Sequence, residues 1–286
     1  MDNTQEILEL ARRDMAARRE ERKRQPRSEQ PWVWAFVALG TTLVLGVLFL
    51  PIRGLDYRLQ MVVHGVCAQA HYVNIGAYRM PLCARNTGIY AGFAGTSLAL
   101  LAMGRARAAA LPPIPIVLAL LLGALAMVVD GLNSLLRDIA GYNLYTPLNE
   151  LRVITGLLMG TAIAVFMLLM LNVVFRTTPR RNQRVVGSWI EYGALLLVDL
   201  AVYLLLFFGP SLLYYPLAIF SVAGIVGVLF ACNLFVLALV GGLEGAVSRL
   251  RQLARPATFA LVCTAVELAL LAGLRVWIDS SVGRTM

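Results

Sequence analysis

Charge is scarce in this chain. Only 14% of its 286 residues are Asp, Glu, Lys or Arg, against about a quarter in an ordinary soluble domain. Lysine is nearly missing: Lys23 is the one lysine and every other basic residue is arginine, which reads as codon bias more than function. Cysteine occurs 4 times, too seldom for a disulfide scaffold in a chain of this length. Histidine occurs twice, at His64 and His71. Both sit in one segment between apolar runs, so they cannot ligate a haem from two facing transmembrane helices. The sequence has no phosphate-binding glycine loop, no G-x-S-x-G, no H-E-x-x-H and no C-x-x-C-H. Nothing therefore points to an ATPase, a serine hydrolase, a zincin or a c-type haem protein, and no motif decides whether the chain is an enzyme.

What is present is apolar. Hydrophobic residues make up 59% of the chain and mean hydropathy is +0.74, an excess that lipid has to solvate. The formal net charge of +9 would suggest nucleic acid in a soluble protein. Here the arginines cluster in short segments between apolar runs, so the expected partner is the anionic face of a bilayer and not nucleic acid.

Seven apolar runs are expected to be helices: 32–50, 87–103, 114–136, 153–175, 189–209, 213–240 and 257–278. At about 1.5 Å per residue each crosses or nearly crosses a hydrocarbon core of about 30 Å. The runs do not alternate, which selects helices over a barrel. With the N-terminus in the cytoplasm, the cytoplasmic segments hold 17 of the 25 basic residues. That asymmetry favours the N-terminus inside and the C-terminus outside. The first run follows a long charged stretch and has no small-residue cleavage site, so it is expected to stay as a helix. The expected fold is an all-α polytopic transmembrane bundle of about seven helices in a bacterial cytoplasmic (inner) membrane. It divides into a charged cytoplasmic tail (1–31), a four-helix part (32–175) and three further helices (176–286). "EILELARRDMAARREERKR" in the tail is compatible with a helix on the membrane surface or with a solvated tail. Gly88-xxx-Gly92 and Gly156-xxx-Gly160 are spacings that let transmembrane helices approach closely. Cys232 and Cys263, inside apolar runs, are expected to be small buried hydrophobes.

Residues 51–86 form the longest segment between runs, on the extracytoplasmic side of this topology. "LDYRLQMVVHGVCAQAHYV" reads as an amphipathic helix from Leu55 to about Val73. On it Asp56, Gln60, His64, Cys67 and His71 share one stripe. Three readings stand open. His64, Cys67, His71 and Cys83 offer two imidazoles and two sulfurs, a set that zinc would accept. Cys67 and Cys83 could instead form a disulfide on an oxidising face. Or the histidines are interfacial polar residues and the cysteines inert.

At "HGVCAQ" and "PLCARNTGIYAG", and again at "DGLNSLLRD" and "PLNELRVITGLLMG", the chain resembles a prokaryotic integral membrane family, domain of unknown function 2085. The resemblance covers roughly residues 60 to 162. Family members carry H-x-x-C-H-Q followed by P-L-C-A-R-C-T-G-I-Y-x-G. Residues His64, Cys67, Gln69, Cys83, Arg85, Thr87, Gly88 and Tyr90 match that pattern, as do Asp130, Gly131, Asn149, Arg152, Thr155 and Gly156. Ala68 stands where the family has His, and Asn86 where it has Cys. The full pattern looks like a metal or redox site, and two of its candidate ligands are absent here. The family implies a topology and names no activity.

Ionisable residues at membrane depth are costly and mark functional candidates. Asp199 and Glu267 lie midway along their runs with no basic residue at matching depth, and Tyr192, Asp199 and Tyr203 share a helix face. Asp130, Asn133, Arg137, Asn149 and Arg152 gather at the outer ends of the third and fourth runs, where Asp130 and Arg152 are expected to pair. With Arg85 they would outline a ligand-binding polar site. Three functions follow as expectations. The first is an extracytoplasmic site, with Arg85, Asp130, Asn149 and Arg152 beside the His/Cys segment, that binds a metal or a small or lipid-like ligand. The second is a proton- or cation-coupled transporter using Asp199 and Glu267. The third is a non-catalytic subunit or assembly factor of a larger membrane complex.

Overall fold

The computed structural model describes Glu9, Arg13, residues 29–67 and residues 71–281. Apart from Glu9 and Arg13, the helix considered for the N-terminal tail lies outside these residues, as do Ala68 and Gln69. Each of the seven apolar runs is helical: α1 (Gln30–Phe49), α3 (Ala84–Ala102), α4 (Ile114–Ala140), α5 (Asn149–Phe175), α6 (Trp189–Phe208), α7 (Tyr214–Val240) and α8 (Ala254–Ser281). A short helix, α2 (Leu55–Val63), follows α1. Strands β1 (Tyr72–Ile75) and β2 (Tyr78–Cys83) precede α3, β3 (Ala108–Ala110) precedes α4, and β4 (Arg180–Arg184) precedes α6. The chain is an all-α polytopic membrane bundle.

Six of the helices, all but α2 and α3, are long and apolar enough to cross a membrane. The exception among the long ones is informative. Helix α3 opens with Arg85, Asn86 and Thr87 and carries three glycines, so its hydropathy is low, yet 11 of its 19 residues are buried. It lies among α5, α6 and α7, where protein rather than lipid surrounds it. Helix α1 is the opposite case, with no buried residue. Its Trp34, Val44 and Phe49 are exposed, as suits an apolar helix at the bundle's edge facing hydrocarbon.

The two glycine pairs named above meet each other. Gly88 packs on the Val153 carbonyl and the Gly156 Cα, and Gly160 on the Ile89 carbonyl; a Cβ on Gly92 would lie 2.6 Å from the Leu157 oxygen. Further along, the Thr96 and Thr161 hydroxyls are 2.8 Å apart. Helices α3 and α5 therefore run parallel and in register, backbone on backbone. On another side of α3, Gly224 of α7 sits against the Tyr90 carbonyl.

The segment before α3 corrects one expectation. The amphipathic helix ends at Val63 instead of continuing to about Val73. Gly65 lies against the backbone of Leu271 in α8 with no room for a Cβ, and the chain turns there. It then forms the antiparallel hairpin β1–β2, with Ile75 opposite Tyr78 and Gly76 at φ 61 in the two-residue turn. A glycine at the first central position suits the primed turns that match strand twist. Tyr78 stacks on Tyr214 with ring centroids 4.8 Å apart, and Ile75, Met80 and Leu82 enter the core with Leu217 and Ala218.

The other end of the bundle is closed by β3 and β4, which pair in parallel. There Asn172 Nδ2 donates to the Ala108 carbonyl at 2.9 Å and Arg105 forms an ion pair with Glu191. The hairpin end and this arginine-rich end thus lie at opposite ends of α3 and α5.

Candidate ligand site at the hairpin end

The site begins where β2 becomes α3. Ala84 N donates to the His71 carbonyl at 2.7 Å, and Thr87 Oγ1 donates to the Leu82 carbonyl at 3.1 Å. These bonds fix the first turn of α3 and aim Arg85 at α4. Arg85 Nη2 donates to Asp130 Oδ2 at 2.7 Å and to the Asp130 carbonyl at 3.1 Å. It also donates to Ser134 Oγ at 3.0 Å. Asp130 is 1% exposed and Arg85 9%. The second Asp130 oxygen accepts from the Tyr145 hydroxyl at 2.9 Å. Burial and that hydrogen bond push the Tyr145 phenol above its ordinary value, so it keeps its proton as a donor. Asn133 holds the same loop, donating to the Tyr145 carbonyl and accepting from Leu144 N. Arg137, also placed in this cluster by the sequence, is exposed.

The expected pair of Asp130 with Arg152 is not formed, because Arg85 occupies the carboxylate. Arg152 is 3% exposed. It donates to Asn149 Oδ1 at 3.0 Å and, at 3.5 Å, to Ser134 Oγ. Its Nε is buried without a hydrogen-bond partner, and it makes no ion pair among the described residues. Among the described residues the buried cluster thus holds two guanidiniums and one carboxylate, with the exposed Asp138 near enough for its charge to act on Arg152. Asn149 in turn donates to the Tyr72 carbonyl of the hairpin at 3.0 Å. His71 is half-buried, and burial together with the Arg152 charge lowers its pKa, favouring the neutral imidazole.

Directly along α4 and α5 from this cluster runs an apolar groove of about 490 Å³. Leu122, Leu125, Ala126 and Val129 of α4 line it with Leu151 and Thr155 of α5, and Tyr145 forms part of its wall. Asp130 and Arg152 do not line the groove; Tyr145, whose hydroxyl donates to Asp130, stands between the groove and the buried charges.

Cys67 and Cys83 are brought together, their sulfurs 2.7 Å apart. The Cys67 contact and burial push the Cys83 thiol well above its ordinary value. His64 is held elsewhere: its Nε2 lies 3.4 Å from Asp279 Oδ2 in α8, which also accepts from Arg275 Nε at 2.9 Å. With α2 ending at Val63, His64 and His71 no longer share a stripe with Cys67. Among the described residues no three His, Cys, Asp or Glu side chains gather as a metal group. The set His64, Cys67, His71 and Cys83 is therefore not assembled around one point.

The intramembrane acids occupy separate places. Asp199 is 5% exposed on the same buried face of α6 as Tyr192, while Tyr203 is only partly buried. Thr161 Oγ1 donates to Asp199 Oδ2 at 2.7 Å; Oδ1 is buried without a hydrogen-bond partner among the described residues. Glu267 accepts from Asn233 Nδ2 at 2.9 Å. Cys232 is exposed and Cys263 half-buried, so neither is the fully buried hydrophobe expected, because their helix faces look toward lipid.

Ser134, Tyr145 and Tyr72 belong to the site and were not singled out by sequence. Ser134 had a signal, since it stands four residues after Asp130 on the same helix face. Tyr145 and the Tyr72 carbonyl had none, because a loop and a hairpin bring them.

Residues 67–166 match the family model described as "Predicted membrane protein (DUF2085)", the same family that the motifs between residues 60 and 162 resemble. No curated protein and no solved structure matches the chain.

Proposed function

We propose that the hairpin end faces the extracytoplasmic side of a bacterial cytoplasmic membrane and binds an anionic amphiphile there. In this reading Arg152, held by Asn149, takes the negative group, and the groove between α4 and α5 takes an acyl chain. The observation that carries it is Arg152. A buried charge is strongly disfavoured unless it is paired, and Arg152 is buried beside a second arginine whose carboxylate is already used. An anion supplies the missing charge, and guanidinium forks suit phosphate and carboxylate. The apolar groove that shares Tyr145 with the charged cluster favours a ligand with a chain over a free ion. The orientation rests on the excess of arginines at the β3–β4 end and in the N-terminal segment.

The test is a titration of detergent-purified protein with short-chain phosphatidylglycerol and, separately, with phosphatidylcholine of the same chain length. We expect about tenfold tighter binding of the anionic lipid, equivalent to about 1.4 kcal/mol, and loss of that preference in Arg152→Gln. A Val129→Trp substitution, which fills the groove, should weaken both lipids. Equal affinity for the two lipids in the parent protein would end the reading. Orientation is read separately: in a chain lacking Cys67 and Cys83, Asn74→Cys should react with an impermeant maleimide on intact cells, and Arg181→Cys only after lysis.

A second reading is favoured by the unpartnered Oδ1 of Asp199. A carboxyl buried at membrane depth with one oxygen open is suited to carrying a proton or holding a cation. Proton- or cation-driven flux in vesicles should fall in Asp199→Asn; unchanged flux in Asp199→Asn combined with Glu267→Gln would remove it.

A further inference from the structure

We propose that Cys67 and Cys83 are an exchangeable redox pair, joined as a disulfide by reaction with an extracytoplasmic thiol–disulfide partner, which ties the hairpin to the first turn of α3. The two residues are distant in sequence but adjacent in space: Cys67 follows the turn after α2, and Cys83 is the last residue of β2. Their sulfurs are 2.7 Å apart, so joining them asks for little backbone movement. The placement also rests on the orientation proposed above, which puts both on the side where thiols are oxidised.

The two thiols differ in a way that fixes the order of steps. Cys67 is half-buried and Cys83 is 2% exposed. Thiol–disulfide exchange needs a thiolate with access to the partner. Cys67 therefore enters first. Its thiolate attacks one sulfur of the partner's disulfide, forms a mixed disulfide and releases one partner thiolate. Cys83 then gives its proton to the partner thiolate released in the first step and attacks the Cys67 sulfur. The Cys67–Cys83 bond forms, the mixed disulfide breaks, and the second partner thiolate leaves. Two thiols of this chain are oxidised and one partner disulfide is reduced, so the electrons balance. The reverse sequence, begun by a partner dithiol, opens the pair.

The pair encloses the hairpin. Between the two cysteines lie His71, whose carbonyl accepts from Ala84 N, and Tyr72, whose carbonyl accepts from Asn149. Closing the bond restrains the strand that buttresses Asn149; opening it leaves the hairpin held by its hydrogen bonds and by the Tyr78–Tyr214 stack. Cys232 and Cys263 sit on α7 and α8, away from any such segment.

The experiment equilibrates full-length purified protein in reduced and oxidised glutathione buffers, quenches with acid, alkylates and maps peptides by mass spectrometry. In the oxidising buffer we expect Cys67 and Cys83 to lose alkylation together and appear as one linked peptide, with Cys232 and Cys263 unchanged. A reducing buffer should restore both. Cleavage by trypsin at the exposed Arg79 should be at least several-fold slower in the oxidised form than in the reduced form or in Cys67→Ser. Because Cys67→Ser changes the hairpin's own contacts, the parent protein in its two redox states is the deciding comparison. Persistent alkylation of both cysteines in the oxidising buffer, or linkage of either one to a different cysteine, overturns the proposal. Failure of the maleimide test on Asn74→Cys would instead remove the orientation, and linkage in purified protein would then stand without an oxidising compartment to drive it.

Discussion

Asp130→Ala should unfold more readily than the parent protein by about 3–5 kcal/mol, the usual penalty for leaving a buried ion-pair partner uncompensated. Among the described residues Asp130 is the one buried carboxylate beside the two buried guanidiniums, and its two oxygens accept from Arg85 and from Tyr145. Removing it leaves Arg85 and Arg152 facing each other at low dielectric and strips the loop of its tyrosine anchor. The measurement is thermal or denaturant unfolding in detergent micelles. Asp130→Asn should cost less, because an amide oxygen still accepts one of these hydrogen bonds. The double change Arg85→Met with Asp130→Leu should recover much of the loss, since an apolar pair of similar size replaces buried ions at small cost. A midpoint for Asp130→Ala indistinguishable from that of the parent would show that this ion pair does not hold the hairpin end together.

The second large effect is steric. Gly160→Leu should prevent the protein from being recovered as a single folded species, and Gly160→Ala should already be destabilised by about 1–3 kcal/mol, the range for overpacking. A Cβ at Gly160 meets the carbonyl of Ile89 and, at 2.6 Å, the backbone nitrogen of Phe93. Neither is the far end of a flexible side chain, so relief requires α3 and α5 to separate. Separation would break the Thr96–Thr161 contact and shift Arg85 at the other end of the same interface. Gly193 of α6 has nothing near its missing Cβ, and Gly193→Ala should be neutral or slightly stabilising through helix propensity. Size-exclusion profiles and melting curves of the three variants read the result. A monodisperse Gly160→Leu protein melting with the parent would show that the close packing of α3 on α5 is dispensable.

Much of the fold is legible in the sequence, for a physical reason. A continuous apolar run in lipid has to satisfy its own backbone and so must be helical, and each of the seven runs is. The glycine spacings on α3 and α5 were readable as close-approach surfaces, and the structure adds that each faces the other. Helix α3 shows the limit of hydropathy: its burial by protein releases it from the need to be strongly apolar. The apolar–polar pattern from Leu55 to about Val73 suits a helix until Gly65 and the strand that starts at Tyr72 are weighed, and the helix ends at Val63. Gly76 directly after the β-branched and aromatic stretch Tyr72–Ile75 is the available hairpin signal.

The candidate site was legible residue by residue but not in its pairing. Arg85, Asp130, Asn149 and Arg152 were all singled out, yet the partner of Asp130 depends on how three helices meet, which no spacing encodes. The proximity of Cys67 to Cys83 likewise depends on the hairpin doubling back. Asp199 was visible as an acid inside an apolar run; its Thr161 partner comes from the register of α6 against α5.

Helix α3 also bears on how the chain is made. A segment with an arginine in its first turn and three glycines partitions weakly into bilayer on its own. The surfaces that shelter it, on α5, α6 and α7, emerge from the ribosome only later. The protein surroundings of α3 are thus complete only once α5, with Gly156 and Gly160, and the later α6 and α7 have been made. The helix at the core of the finished bundle is therefore the one whose place depends most on segments that follow it in the chain.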